Sequence, residues 1–66
     1  MDMTNDKGQR LYFPTAEDAA YALAEQGFEA PRQGDMGFWS KPDGRDWIEA
    51  DIRYNSQGYF VRVFIN

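Results

Sequence analysis

Residues 45–65 read RDWIEADIRYNSQGYFVRVFI. Upstream of the turn, Ile48, Ala50, Ile52 and Tyr54 alternate with Trp47, Glu49, Asp51 and Arg53. Downstream, Tyr59, Val61, Val63 and Ile65 alternate with Phe60, Arg62 and Phe64. A period of two marks strands with one buried face. A four-residue loop at Asn55–Gly58 pairs Tyr54 with Tyr59, Ile52 with Val61, Ala50 with Val63 and Ile48 with Ile65. Each core residue then faces another, and Asp51 stands opposite Arg62 as an opposite-charge pair. A one-residue slip would set Ile52 against Arg62, so the register is tightly specified.

The preceding stretch extends the pattern. Met36–Lys41 reads as a strand, and KPDGR at 41–45 as its turn. Pro42 presets the first turn dihedral, Asp43 suits the second position, and Gly44 takes the left-handed site. A three-residue loop, Pro42–Gly44, would pair Lys41 with Arg45, Ser40 with Asp46, Trp39 with Trp47 and Phe38 with Ile48. That register puts Met36 and Phe38 on the core face and sets Trp39 against Trp47 on the other.

Further upstream, Thr15 reads as an N-cap, with Asp18 as the capping-box acid and Glu17 beside it near the positive end of the helix dipole. The helix runs from about Ala16 to Gln26 and stops at Gly27. At about 100° per residue, Ala16, Ala20 and Leu23 share the buried stripe, with Ala19 and Ala24 on its margins. Asp18 and Glu25 point away, flanked by Glu17, Tyr21 and Ala22. Residues 28–35 read as a loop, and residues 9–13, QRLYF, as a short strand or extended arm. Residues 1–8 offer nothing to bury and read as a flexible tail, leaving 9–66 as one domain. The expected fold is α+β: one helix on a three-stranded antiparallel meander, in the order (β)αβββ.

Composition narrows the chemistry. The chain has 66 residues, 11 Asp and Glu against 7 Lys and Arg, no His and no Cys, for a net charge of −4. A chain this short buries only about 60% of the surface its unfolded form exposes. Without Cys there is no disulfide or thiolate nucleophile; without His the commonest general base and transition-metal ligand are missing. The polar start MDMTNDKGQR is neither a signal peptide nor a transit peptide, so a soluble intracellular protein without a membrane span is expected. The carboxylate pairs Asp43/Asp46 and Glu49/Asp51 fall at a turn and on an open sheet face beside Arg53 and Arg62. Solvated acids with basic neighbours are structural far more often than catalytic. The glycines have no phosphate-binding spacing, and Asp35, Asp43 and Asp46 do not form a calcium loop. The reading is a non-enzyme with no cofactor and no metal.

A single helix covers one sheet face. The other is expected to carry Trp39, Trp47, Phe60 and Phe64. Three covers suit such a face: the arm with Leu11, Tyr12 and Phe13; a second copy; or a partner, since Trp, Tyr, Phe and Arg are enriched in interface cores. A monomer is favoured over a homodimer. The acidic balance argues against direct nucleic-acid binding, which needs Lys and Arg to neutralise phosphate. The acids themselves, Glu17, Asp18, Glu25 and Glu29 on and after the helix and Asp35, Asp43 and Asp46 around the turn, suit a basic groove. With Trp39, Trp47 and Phe60 they are the candidate partner-binding residues.

The helix TAEDAAYALAEQGF and the hairpins WSKPDGRDW and YNSQGYFVRVF, on a small acidic chain without Cys or His, resemble small phage-encoded anti-CRISPR proteins, closest to the type I-C inhibitors. The likeness spans the chain from about Arg10 onward and carries no residue-level signature. It implies a stoichiometric inhibitor in the cytoplasm of a bacterial host. The implied partner is a protein subunit of the CRISPR-Cas Cascade complex. The implied site is the large subunit's groove where the PAM is read and duplex DNA comes in, blocked by a DNA-mimicking acidic surface. Two other classes fit the composition: a small acidic regulator that plugs another basic enzyme cleft, and an accessory homodimeric interaction domain.

Overall fold

Thr15 starts the helix as its sequence demands. Its backbone is extended and its hydroxyl accepts a hydrogen bond from the Asp18 amide at 3.1 Å. A computed structural model describes residues 3–31 and 37–65 of the chain. Among them the elements run α1 (Ala16–Glu25), β1 (Trp39–Asp43), β2 (Asp46–Asn55) and β3 (Gly58–Ile65). The strands form one antiparallel sheet in the order β1-β2-β3, so the expected α+β meander is the architecture found.

The helix ends at a glycine for a geometric reason. Gly27 has φ +91°, and the chain reverses in a Schellman turn: Phe28 N–H donates to Leu23 O at 3.1 Å and Gly27 N–H to Ala24 O at 3.0 Å. That reversal drops Phe28 beside Leu23 in the core, so the loop expected over 28–35 opens with a core residue. Ala19 and Leu23, one turn apart, are the fully buried helical positions, while Ala16 is exposed. The buried stripe is thus centred on Ala19–Leu23 rather than on Ala16–Ala20–Leu23. A small Ala19 lets the helix lie close to Ala50 and Val61 on the sheet, both fully buried.

The β2–β3 register is the expected one: Ile48↔Ile65, Ala50↔Val63, Asp51↔Arg62, Ile52↔Val61 and Tyr54↔Tyr59. The β1–β2 register is different. The pairs are Trp39↔Ala50, Ser40↔Glu49, Lys41↔Ile48, Pro42↔Trp47 and Asp43↔Asp46, joined through Gly44 and Arg45, with Gly44 at φ +63°. This corrects both the expected strand, Met36–Lys41, and the three-residue loop; Met36 itself lies outside the described residues.

Backbone direction explains why the strand can run on through Pro42. Ser40 turns its N–H and C=O outward, exchanging bonds with Glu29 at 3.2 and 2.7 Å. Alternation turns Pro42, two residues on, the same way, so its missing N–H removes no bond to β2. The register shift is odd, so β1 faces the other way. Trp39 packs on the core side, and Phe38 lies on the far face in an edge-to-face contact with Phe64, ring centroids 6.0 Å apart.

The N-terminal segment closes the other edge. Phe13 and Tyr59 exchange backbone hydrogen bonds at 2.7 and 2.9 Å, and Met3 N–H donates to Val61 O at 3.1 Å. Within the stretch expected as a tail, Met3 is therefore bonded to the sheet and packs on the core; Met1 and Asp2 lie outside the described residues. Its turn is held by the Asn5 carboxamide oxygen, which accepts from Lys7 and Gln9 amides at 2.9 and 3.0 Å.

Candidate functional site

The outer face of α1 is built by helical spacing. Glu17, Tyr21 and Glu25 recur every four residues and stack in one line, with Asp18 a step around the helix. All four are exposed, Tyr21 at 69%. Across the line, Glu17 and Glu25 lie roughly 12 Å apart at 1.5 Å per residue.

Beyond the helix, further acids lie along β1, from the helix C-terminus to the end of the first hairpin. Lys41 Nζ donates to Gln26 O at 2.9 Å, docking the end of α1 onto β1, and sits 4.9 Å from the centre of the Phe28 ring. A cation there suits the negative end of the helix dipole. Glu29 pairs with Ser40 on the edge of β1. Three residues further along β1, roughly 10 Å at strand rise, Asp43 faces Asp46 directly across the hairpin end. Like charges so placed repel. Glu29, Asp43 and Asp46 are exposed, and among the described residues none of these six carboxylates has an ion-pair partner. The seventh expected acid, Asp35, lies outside the described residues.

The three aromatics expected beside the acids are separated. Trp39 sits on the helix side of the sheet against the core. Phe60 is on the far face but only 7% exposed, because the arm covers it: the Tyr12 ring meets it edge-on at 5.9 Å and the Arg10 guanidinium lies 4.2 Å from its centre. Of the candidate aromatics only Trp47 stands open, at 52%. The paired Trp39/Trp47 surface therefore does not form, because the β1 register turns Trp39 inward.

On that far face lies an open groove of about 760 Å³ lined in part by Arg10, Asp51, Arg53, Phe60 and Arg62. Asp51 pairs with Arg53, Nε to Oδ2 at 3.1 Å, instead of with Arg62 as expected. Arg53 is two residues away on the same strand face, whereas the Arg62 guanidinium rests 5.2 Å from the centre of the Phe64 ring. The three arginines went unread as a group. Arg53 and Arg62 share the Phe60 parity in the sequence, but Arg10 joins them only through the folded arm.

Among the described residues no cluster of His, Cys, Asp and Glu could hold a metal ion, and no helix is long and apolar enough to cross a membrane. No family model, no curated protein and no solved structure matches the chain.

Proposed function

We propose that this chain is a non-catalytic, stoichiometric inhibitor of the anti-CRISPR kind. It acts as a cytoplasmic monomer in a bacterial host and binds the Cascade complex at the large-subunit groove that receives PAM-bearing duplex DNA. The observation that carries this reading is the set of exposed carboxylates that have no ion-pair partner among the described residues: Glu17, Asp18 and Glu25 on the helix, Glu29 just after it, and Asp43 and Asp46 at the end of the first hairpin. Carboxylates that are not neutralised at home are available to Lys and Arg of a nucleic-acid groove, and the field they create steers association. A backbone frame closed at both sheet edges holds them in place, so little ordering is lost on binding. The resemblance to type I-C inhibitors selects Cascade among proteins that own such grooves.

A competition assay tests it. Purified type I-C Cascade is incubated with labelled PAM-bearing duplex and increasing amounts of this protein. The expected result is displacement of DNA, weakened at least tenfold by the triple change Glu17→Gln, Asp18→Asn, Glu25→Gln and by raised salt. Simultaneous binding of DNA and protein would overturn the reading. Trp39 lies in the core, so a homodimer through a Trp39/Trp47 face lacks half of its contact. A small acidic regulator of another basic cleft would use the same carboxylates and would leave Cascade untouched.

A further inference from the structure

The chain holds one Asp-Gly step, Asp43–Gly44, and the fold leaves it open. The carboxyl carbon of an aspartate can be attacked by the amide nitrogen of the next residue. Three features of a fold hinder this: that N–H is hydrogen-bonded, the carboxylate is held by a partner, or the next side chain crowds the ring that must close. Every other described aspartate meets at least one of them. The amide after Asp6 donates to Asn5 Oδ1 at 2.9 Å, and the amide after Asp18 to Thr15 O at 3.3 Å. Asp51 is held by Arg53 at 3.1 Å and precedes the β-branched Ile52. Asp46 precedes the bulky Trp47.

Asp43 meets none. It is exposed, and among the described residues its carboxylate makes no hydrogen bond or ion pair. The Gly44 N–H is also unbonded there, as befits the first position inside a two-residue turn. Gly44 has no side chain, and nothing stands within 4 Å of the place a Cβ would take. The step lies at the free end of the hairpin, where local opening costs little. Asp46, facing Asp43 across the closing pair, adds repulsion that favours such opening.

We propose that Asp43–Gly44 is a site of spontaneous covalent modification, converting to an isoaspartyl linkage within the folded protein. The Gly44 nitrogen bonds to Asp43 Cγ. One carboxyl oxygen leaves as water, carrying its own proton and that of the amide, and a five-membered succinimide remains. Water then adds to the backbone carbonyl carbon of Asp43, the bond from that carbon to the Gly44 nitrogen breaks, and the nitrogen regains a proton while staying on Cγ. Water is the only co-reactant, and nothing is oxidised or reduced. The main chain gains one carbon at position 43, and the free carboxylate moves to Cα, so the residue no longer closes the hairpin against Asp46. The proposal rests on the hairpin end alone and is independent of the inhibitor reading.

The test incubates the intact protein at neutral pH, folded in buffer and unfolded in concentrated guanidinium chloride. Isoaspartate at each aspartate is followed by peptide mapping with mass spectrometry, and in total by methyl labelling with an isoaspartyl methyltransferase. In the folded protein the rate at Asp43 should stay within about tenfold of its rate in the unfolded chain, because a hairpin tip opens at little cost. The rates at Asp6, Asp18, Asp46 and Asp51 should lie below it. A transient species lighter by one water should map to the same Asp43–Gly44 step. Asp43→Glu, whose ring would need six members, should remove most of the methyl label, with circular dichroism confirming that the variant is folded. Should that variant unfold, the wild-type comparison of folded with unfolded protein decides alone. A folded-state rate at Asp43 more than about tenfold below the unfolded one would mean that the hairpin protects the step, and would overturn the proposal. So would isoaspartate forming as fast at another described aspartate, or a methyl label that persists undiminished in folded Asp43→Glu.

Discussion

The two hairpins of this protein share a strand and differ in how they are specified. In β2–β3 both strands alternate over their whole length, and a one-residue slip would set Arg62 against an apolar partner, so the parity is fixed from within. In β1–β2 the first strand is five residues long, and the neighbours Phe38 and Trp39 can each supply an aromatic to the core. Either parity buries a large ring, so alternation does not choose. Tertiary contacts do: Glu29 bonds the outward groups of Ser40, and Lys41 reaches the end of α1. A short strand with two adjacent aromatics takes its register from its surroundings, and a long alternating one carries its own.

The largest effect expected from breaking this contrast is at the two tryptophans. Trp39→Ala removes a ring packed on the core and should cost about 2–3 kcal/mol in urea unfolding. Trp47→Ala, at a half-exposed position, should cost less than about 1 kcal/mol. Equal losses would mean that the two rings face each other after all. Next comes the pair of turn glycines. Gly58 has φ +133° and a Cβ there would stand 3.0 Å from the Phe13 carbonyl oxygen, so Gly58→Ala should destabilise by about 1–3 kcal/mol. Gly44 at φ +63° meets nothing within 4 Å, so Gly44→Asn should leave the thermal midpoint nearly unchanged. A larger loss at Gly44 than at Gly58 would show that the first turn is the stiffer. The smallest effect is at Asp46, which faces Asp43. Asp46→Asn should stabilise by a few tenths of a kcal/mol at low salt, and the gain should fade as salt is raised. A loss of stability would mean that a cation already neutralises the pair.

Much of the fold was legible because its signals are local. Thr15, Gly27 and the β2–β3 alternation act within a few residues, where sterics and hydrogen bonding to the backbone dominate. Phe28 was missed because its burial follows from the Schellman reversal, which turns the chain back onto Leu23. The candidate acids are exposed, as helical periodicity and turn chemistry placed them, except for Asp35, which lies outside the described residues. The aromatic half of the candidate site was not legible. Trp39 followed a strand that turned over, and Phe60 was covered by an arm whose approach no period announces.

By itself the sequence determined the α+β class, the helix and its start, the meander and the β2–β3 register. Each follows from repeats of 2.0 or 3.6 residues and from the backbone preferences of single residues. Tertiary structure alone decided the parity of β1, the sealing of both sheet edges and the meeting of Arg10 with Arg53 and Arg62. Those depend on contacts between segments far apart in the chain, whose free energies are settled only when the core closes and every strand edge has found a partner.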